Sequence, residues 1–376
     1  MASRNGFINR YNKKREELVR IINKQHEIMK RILTFLLLAF ALKANAQLLT
    51  FSSELGYFSN DENIATIKQV WEGYVNAVAK GSDTTPFWVQ DSHDILVGAH
   101  KDGLLNTYNI RKLTDEIYEI NTIAYYPDEA IKGGLINAIY KVCAMQTDDG
   151  WRLINYFDAT KNRYASHRIG CVNFYIGLGV VADRKKMKES ARFAESFIGN
   201  YQLDHKIPIT YVVAGSIDEC SAMIGLSYTP MRSHKPFAGR TIHNLILSTR
   251  LNHIHEIVHA IMLPRYPDAP LFLHEGIATY YGGMAEQTYK DIKSIAKKYI
   301  ILNDNDLSTQ ESLNAPLGNE VQLSNVVAAA IIEYTLQQGG ESKVLQLFEA
   351  TTYDEVFTLL GIEKEQQSHF IRTLFQ

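Results

Sequence analysis

Cysteine is scarce in this chain, and its scarcity excludes two kinds of site. The 376 residues include three cysteines, and none of them belongs to a Cys-x-x-Cys pair. Zinc sites built from thiolates and thioredoxin-like redox motifs both need such pairs, so neither is available here. The odd number allows at most one disulfide. We expect the three to be small buried apolar residues instead: Cys143, Cys171 and Cys220.

The chain also lacks a large excess of charge of either sign. Its formal net charge is -2, with 21% charged and 46% hydrophobic residues. This balance is ordinary for a globular protein and excludes a disordered or collagen-like chain. It gives no basic signal for nucleic acid, so we expect no nucleic-acid partner. At about 100–200 residues per domain, the length predicts two domains.

No apolar run near the N-terminus is long enough to cross a membrane. The run Ile32–Leu42 has eleven residues, whereas a membrane span needs about 20. It follows Met29-Lys30-Arg31 and precedes Ala44-Asn45-Ala46. Cations, a short apolar core and small residues at the cleavage positions are typical of a secretory signal peptide. The sequence therefore predicts export to the periplasm or the extracellular space, without a stable membrane span.

The predicted leader occupies residues 1–46 and is distinctly basic. It contains ten Lys and Arg but three Asp and Glu. We interpret residues 1–28 as a start codon assigned too early and residues 29–46 as the signal peptide, so the mature chain begins near Gln47. A retained signal anchor is the alternative, since Lys43 could flank an uncleaved helix.

Residues 47–175 are predicted to form a small α+β domain. One amphipathic helix, Asn63–Ala79, has apolar residues at helical spacing after a candidate N-cap, Asp61. Strand-like segments follow, and the last two are separated by the turn Thr147-Asp148-Asp149-Gly150. They are Glu119–Tyr126, Leu135–Gln146 and Trp151–Phe157. A helix followed by an antiparallel sheet resembles the NTF2-like fold.

A change of composition marks the start of a second domain, residues 176–376. Asp183 precedes an amphipathic helix, Lys185–Tyr201, and a strand, Ile207–Val213. A second extended run, Thr241–Ser248, comes shortly before the segment that carries the chemistry.

That segment is His255-Glu256-Ile257-Val258-His259. In a helix, residues four apart project from one face, so the two imidazoles can bind one cation together. Glu256 is placed to take a proton from a metal-bound water. The apolar neighbours favour a buried helix, and Pro264 ends it.

Two histidines are too few for a catalytic zinc site, which usually has three protein ligands and a water. A second helix is predicted over Leu271–Gly282, with Asp268 as N-cap and Pro270 in the first turn. It contains Glu275, sixteen residues after His259. A carboxylate there completes a His, His, Glu set.

Residues 175–376 resemble the gluzincin branch of zinc metallopeptidases, the thermolysin-like peptidase MA families. The resemblance lies in His255–His259 and in Leu-x-Glu-Gly-x-Ala-Thr-Tyr around Glu275. It implies a mostly helical zincin-like domain with a small sheet, a Zn²⁺ cofactor, and a peptide or protein substrate lying along an edge strand at Thr241–Ser248. Helical segments follow: Val326–Gln338, Lys343–Ala350, Tyr353–Leu360 and Lys364–Phe375.

Several residues near the motif have more than one interpretation. His274 departs from the family pattern, and a substrate contact, a contact with a ligand and a solvated surface position are its alternatives. Thr279 lies one turn after Glu275 and would either hold Glu275 or His255 or bond its own helix backbone. Tyr280 and Tyr281 would either stabilise an oxyanion or pack in the core.

Two further histidines are interpreted as structural. His253 is on the other side of the helix from His255, so we expect partial burial or an outer contact rather than metal ligation. His243 is expected to be an ordinary residue of the edge strand.

The sequence thus predicts an exported zinc metallopeptidase. His255, His259 and Glu275 hold Zn²⁺, and Glu256 is the general base for the water that attacks the scissile carbonyl. One alternative is a non-catalytic binding or assembly protein that keeps a zinc-stabilised peptidase scaffold. Another is a metal-dependent hydrolase of a non-peptide amide.

Overall fold

The chain has both α-helices and β-sheets, so the predicted α+β class is confirmed. The chain divides after Thr50 into two units, of which the second, Phe51–Gln376, holds all but the first two described residues. The predicted leader, residues 1–46, lies outside the described residues. The computed structural model describes residues 49–52, 61–89, 92, 104–128, 133–204, 208–228, 239–318 and 321–376.

The first part of the described chain contains a helix and an antiparallel sheet. Strands β2 to β5 pair antiparallel in chain order and form the front sheet, and the turn at 147–150 joins β4 to β5 as predicted. The elements are β1 (Leu49–Phe51), α1 (Asn63–Ala79), a 3-10 turn (Thr85–Phe87), β2 (Leu104–Lys112), β3 (Ile117–Asp128), β4 (Gly133–Thr147), β5 (Gly150–Asn155) and α2 (Tyr156–Thr160).

Helix α1 has the predicted bounds and packs against the front sheet. The N-cap is Glu62 rather than the predicted Asp61, although the Asp61 carboxylate accepts a hydrogen bond from the amide of Asn63. Trp71 and Tyr74 are buried, and the indole nitrogen of Trp71 donates to Thr107 at 3.0 Å. The large apolar side chains and this internal hydrogen bond fix the helix on the sheet.

Two predictions for the front sheet were wrong. Strand β5 ends at Asn155 rather than Phe157, because the Asn155 side chain accepts a hydrogen bond from the amide of Asp158 and starts helix α2. Strand β2 was missed. Its register shifts between Thr107 and Asn109, which interrupts the alternation that identifies a strand in a sequence.

The second part of the described chain combines a mixed sheet with helices. The second sheet has the order β10-β11-β8-β7-β6, in which β7, β8 and β11 are parallel and the outer strands antiparallel. The elements are β6 (Ala165–Ile169), β7 (Val172–Ile176), α3 (Arg184–Asn200), β8 (Ile209–Val213), α4 (Ile217–Met223), β9 (Leu226–Tyr228), β10 (Gly239–Ile242), β11 (Leu245–Ser248), α5 (Ile254–Met262), α6 (Leu271–Gly282), α7 (Tyr289–Leu302), α8 (Leu323–Leu347), α9 (Tyr353–Leu359) and α10 (Gln367–Thr373), with 3-10 turns at Lys161–Arg163, Glu311–Leu313 and Lys364–Gln366.

Helices α3 and α8 follow their sequence signals closely. The Asp183 carboxylate accepts hydrogen bonds from the amides of Lys185 and Lys186, so it caps α3 as expected. Helix α8 was predicted as two helices. Gly339 and Gly340 have non-helical backbone angles inside it, so the break falls between the two predicted segments.

The predicted edge strand Thr241–Ser248 was wrong in its extent. It is a hairpin of two strands, β10 and β11, with β10 at the edge of the second sheet. His243 lies in the turn, where its φ is 54°, and so it is not a strand residue. The Asn244 side chain stabilises this turn by donating to the carbonyl of Pro208 at 2.8 Å.

Strand pairing also connects the two predicted domains. β6 and all but the last residue of β7 precede residue 176, but both strands belong to the second sheet, where β7 pairs with β8. β9 comes from the second part of the chain and pairs with the middle of β4 in the front sheet. The domain boundary near residue 175 stays a prediction.

The second sheet and the helices around it share one hydrophobic core. Burial of one such side chain stabilises the fold by about 1.5–3 kcal/mol. Among the described residues, no helix combines the length and apolar character needed to cross a membrane. The three cysteines are free, with Cys143 and Cys220 buried and Cys171 half-buried. Core members include Phe174, Tyr211, Ile246, Ile257, Ile261, Ile277, Val327 and Ile331.

Candidate metal centre

Helix α5 presents both motif histidines from one buried face. Its apolar residues pack into the core and fix the orientation of the helix. His255 and His259 are both buried in this orientation. The two imidazole rings are 4.7 Å apart between centroids, and their Nε2 atoms are 3.1 Å apart. The four-residue spacing therefore brings the two ring nitrogens to one point.

Helix α6 brings Glu275 to the same point. One carboxylate oxygen is 3.6 Å from the Nε2 atom of His255, and the other is 3.4 Å from that of His259. The nearest potential ligand atoms of the three residues all lie within 4.8 Å of one another. Such a cluster of two imidazoles and a carboxylate can accept a divalent cation.

The start of α6 differs from its prediction. Pro270, rather than Asp268, occupies the N-cap, and no side chain caps the helix there. At the other end, Gly282 lies against α5, where a Cβ atom would stand 2.3 Å from the backbone nitrogen of His255. Glycine at 282 therefore lets the two helices approach closely enough for their side chains to meet.

His255 is oriented by the backbone after α6. Its Nδ1 atom lies 2.9 Å from the carbonyl oxygen of Gly283. A carbonyl can only accept, so Nδ1 donates, and in the neutral imidazole the lone pair of Nε2 faces Glu275 and His259. This is the hydrogen-bond arrangement that commonly fixes a metal-binding imidazole.

The charges of the cluster influence one another. Burial would lower the pKa of His255, but the nearby Glu275 carboxylate and its negative charge raise the pKa above the usual value. Burial would raise the pKa of Glu275, but the two imidazoles hold it well below the usual value. The carboxylate is therefore ionised at neutral pH and ready to accept a cation.

Two polar partners of the cluster were missed by sequence reasoning. Asn325, in the first turn of α8, donates a hydrogen bond to Glu275 at 3.2 Å. Thr241, on β10, donates from its hydroxyl to the carboxylate of Glu256 at 2.7 Å. Neither residue type at its position carries a sequence signal, because both contacts depend on how distant elements pack.

The edge strand β10 forms one wall around Glu256. The Glu256 residue is 8% exposed. A Cβ atom at Gly239 would lie 2.8 Å from the Glu256 Cγ atom and closer still to the ring of His253. Gly239 and Thr241 thus share the strand face that contacts the motif helix, and a larger residue at 239 would displace the carboxylate.

His274 is a buried structural residue, which corrects two of its three interpretations. It is 1% exposed, so it is neither a solvated surface residue nor placed to contact a substrate. Its Nε2 atom lies 3.0 Å from the carbonyl of Tyr266, and its ring packs edge-on against Phe348. Burial lowers its pKa to about 4, so the imidazole is neutral. Its Nδ1 atom has no hydrogen-bond partner.

Thr279 also departs from its predictions. Its hydroxyl is buried and has no hydrogen-bond partner, so it bonds neither Glu275, nor His255, nor its own helix backbone. Tyr281 and Tyr280 are in packing positions. The Tyr281 hydroxyl lies 3.2 Å from that of Tyr201, and the Tyr280 ring packs edge-on against Tyr281.

His253 occupies the N-cap of α5, outside the ligand cluster. Its Nδ1 atom lies 3.2 Å from the Ser248 hydroxyl, and burial lowers its pKa to about 4. The expectation of partial burial is confirmed, and the neutral ring lies between β11 and α5.

Comparison of the sequence with known proteins does not help to interpret this geometry. No protein-family model matches the sequence, and a search of curated proteins finds no match either. The chemistry of the site must therefore be inferred from its own side chains.

Proposed function

We propose that this protein is an exported zinc metallopeptidase of the gluzincin type. In this proposal the second sheet and its helices, most of which lie within the predicted domain 176–376, form the metallopeptidase part. The front sheet and α1, within residues 47–175, form the NTF2-like part. The observation that carries the proposal is the convergence of His255, His259 and Glu275, whose ligand atoms lie within 4.8 Å of one another.

The donor set fits Zn²⁺ in number and in kind. Two imidazoles and one carboxylate are a common protein ligand set of catalytic zinc, and they leave one coordination position open. When bound, the ion would act as a Lewis acid on the scissile carbonyl and lower the pKa of water at the site. The hydrogen bond from His255 to Gly283 supports this use, because it leaves the Nε2 lone pair free for a cation.

Glu256 is the group that we assign to proton transfer. Its carboxylate would take a proton from the attacking water and return it to the leaving amine. The Thr241 hydroxyl donates to one carboxylate oxygen, so it limits the rotation of the side chain. Glu256 faces β10, and the base therefore lies beside the strand that we assign to substrate binding.

Substrate access is supported by partial exposure and by a free sheet edge. The Glu275 side chain is 26% exposed, so the ligand cluster is not closed off by the described residues. Among the described strands, β10 pairs with β11 only and lies at the end of the second sheet. An extended peptide can add to such an edge through backbone hydrogen bonds, with no demand on its side chains.

The test uses the full-length protein with zinc content and casein hydrolysis measured together. We expect Glu256→Gln to keep zinc and to lose hydrolysis by 100-fold or more, on the order of the usual contribution of a general base. His259→Ala should lose both. Glu349→Gln, at an exposed position outside the ligand cluster, is the matched control.

Three results would contradict the proposal or redirect it. Wild-type hydrolysis in the Glu256→Gln variant removes the mechanism. Stoichiometric zinc without hydrolysis of any unstructured protein supports a non-catalytic binding or assembly protein instead. Release of a non-peptide amide product, with peptides left intact, supports the third function.

A further inference from the structure

Asn325 stands out among the polar residues near the ligand cluster because it contacts two segments of it. Its Nδ2 atom lies 3.2 Å from a carboxylate oxygen of Glu275 and 3.6 Å from the sulfur of Met284. An amide nitrogen carries two hydrogens, so one is directed to each acceptor. The amide therefore joins the ligand on α6 to the chain that follows that helix.

The orientation of this amide is determined by its other atom. The Oδ1 atom accepts a hydrogen bond from the Ser324 hydroxyl at 3.3 Å. Rotation of the amide by half a turn would place Oδ1 against the Glu275 carboxylate, and two acceptors would then face each other. The Nδ2 atom of Asn325 is thus held facing the Glu275 carboxylate.

Close packing between α6 and α8 sets the distance from Asn325 to Glu275. Gly276 follows Glu275, and a Cβ atom at that position would lie 2.6 Å from the Cβ atom of Ala328. Ala328 is one turn after Asn325 in α8. Since the backbones meet at Gly276, the amide one turn earlier lies directly beside the carboxylate.

Through its contact with Met284, Asn325 also affects the backbone that orients His255. Met284 opens a tight turn closed by two backbone hydrogen bonds with Gln287, of 3.0 and 2.9 Å. Ala285 and Glu286 in the turn have positive φ values of 50° and 66°, which are unfavourable for residues with a side chain. The preceding carbonyl, that of Gly283, is the acceptor for His255. A strained turn of this kind needs contacts from its surroundings to persist.

We propose that Asn325 is a positioning residue of the metal centre. It orients the Glu275 carboxylate directly and steadies the Gly283–Met284 backbone that orients His255. This inference rests on the proposed function, because it assumes that the cluster binds a cation. Asn325 itself does not contact the reacting atoms, so its effect is on metal affinity and coordination.

The test measures metal affinity, not hydrolysis. Full-length protein is stripped of metal, and its Zn²⁺ affinity is measured by competition with a chromophoric chelator. Asn325→Leu removes both donors at similar volume, and Asn325→Ser is too short to reach Glu275 but keeps a polar group. We expect each to bind Zn²⁺ about 10–100-fold more weakly, the usual effect of losing a hydrogen-bond partner of a ligand.

A spectroscopic readout and a control separate positioning from a general structural effect. Co²⁺ in the wild-type protein reports ligand geometry through its visible absorption, and this spectrum should change in both variants. Asn303→Leu is the control, because the Asn303 amide donates to the Tyr299 carbonyl at the end of α7, away from the ligands. It should leave the Zn²⁺ affinity and the Co²⁺ spectrum unchanged.

The possible outcomes distinguish this inference from the proposed function. Wild-type protein that binds no stoichiometric Zn²⁺ overturns the metal centre, and with it the role of Asn325. Wild-type protein that binds Zn²⁺ while both Asn325 variants keep full affinity and an unchanged Co²⁺ spectrum overturns the role of Asn325 alone. If the Leu variant does not fold, the Ser variant decides.

Discussion

Glu119 in the front sheet and Glu275 on α6 are both carboxylates with close partners, but the partners differ in kind. Glu119 is 1% exposed and accepts hydrogen bonds from the Arg111 guanidinium at 2.9 and 3.2 Å and from Asn121 at 2.9 Å. Glu275 faces two imidazoles and the amide of Asn325.

The difference shows what kind of partner leaves a carboxylate able to bind a cation. A guanidinium does not lose its proton in proteins, so Arg111 neutralises Glu119 permanently and occupies its oxygens. An imidazole releases its proton near neutral pH, and its nitrogen then becomes a ligand beside the carboxylate. Glu119 is therefore a structural residue, whereas Glu275 belongs to the cluster that we propose as a metal site.

Glu275→Gln should give the largest effect. Loss of a direct ligand is expected to weaken Zn²⁺ binding by more than about 100-fold, since loss of an outer hydrogen-bond partner already costs about 10–100-fold. Chelator competition on the metal-free protein measures it. An unchanged Zn²⁺ affinity would mean that Glu275 is not a ligand, and the proposed difference between Glu275 and Glu119 would then be wrong.

Thr241→Val extends the comparison to the third carboxylate, Glu256. The variant loses a hydroxyl that donates to a charged group, a contact worth about 1.5–3 kcal/mol, so kcat should fall by about 10–100-fold. KM and Zn²⁺ affinity should stay the same, and Thr241→Ser should recover most of the activity. A wild-type kcat in the Val variant would show that Glu256 needs no such partner.

Glu119→Gln should affect folding and leave the metal centre intact. It leaves Arg111 poorly paired, and we expect the free energy of unfolding to fall by about 1–3 kcal/mol. Urea denaturation measures this change. Zn²⁺ affinity serves as the internal control, and a loss of affinity would contradict the separation of the two carboxylates.

The pH dependence of the metal-free protein should differ between wild type and Glu275→Gln. Because the pKa of Glu275 is lowered in the folded protein, this residue stabilises the fold at pH values above 4.5, the pKa of the unfolded chain. This stabilisation is lost as the pH falls through the folded pKa. Because the pKa of His255 is raised in the folded protein, this residue stabilises the fold at pH values below 6.5, the pKa of the unfolded chain. This stabilisation is lost as the pH rises through the folded pKa. Urea denaturation at several pH values should therefore show the largest difference between the two proteins near pH 4.5–6.5. A constant difference would contradict the coupling.

Asp354→Asn should give the smallest effect. Asp354 and Lys364 are 3.6 Å apart, and their side chains are 61% and 67% exposed. Exposed ion pairs of this kind contribute little, so the free energy of unfolding should change by less than about 0.5 kcal/mol. A fall in the free energy of unfolding as large as that of Glu119→Gln would mean that burial does not determine how much these two carboxylates stabilise the fold.

Much of the central geometry could be predicted from the sequence, because it depends on local signals. The two motif histidines lie four residues apart in one helix, and Pro264 and the following prolines mark the turn before α6. Glu275 then falls in a helix that begins at Leu271, as expected. These features depend on helical periodicity and on proline, which act over a few residues.

The surroundings of the site could not be predicted, because they depend on packing between distant segments. Asn325 is fifty residues from Glu275, and Thr241 contacts Glu256 only because the run 241–248 folds back as a hairpin. His274 gives a polar signal in the sequence but is buried by Phe348 and Tyr266. Its burial follows from helix packing that no local pattern shows.

The exchange of strands between the two parts of the chain determines how the protein can be shortened. A fragment beginning at residue 176 would lack β6 and nearly all of β7, so β8 would lose one of its two neighbouring strands. The fragment would also remove β4, the partner of β9. Unpaired strands of this kind invite aggregation. Recombinant work on the half that carries His255, His259 and Glu275 is therefore best begun from a chain that retains the front sheet.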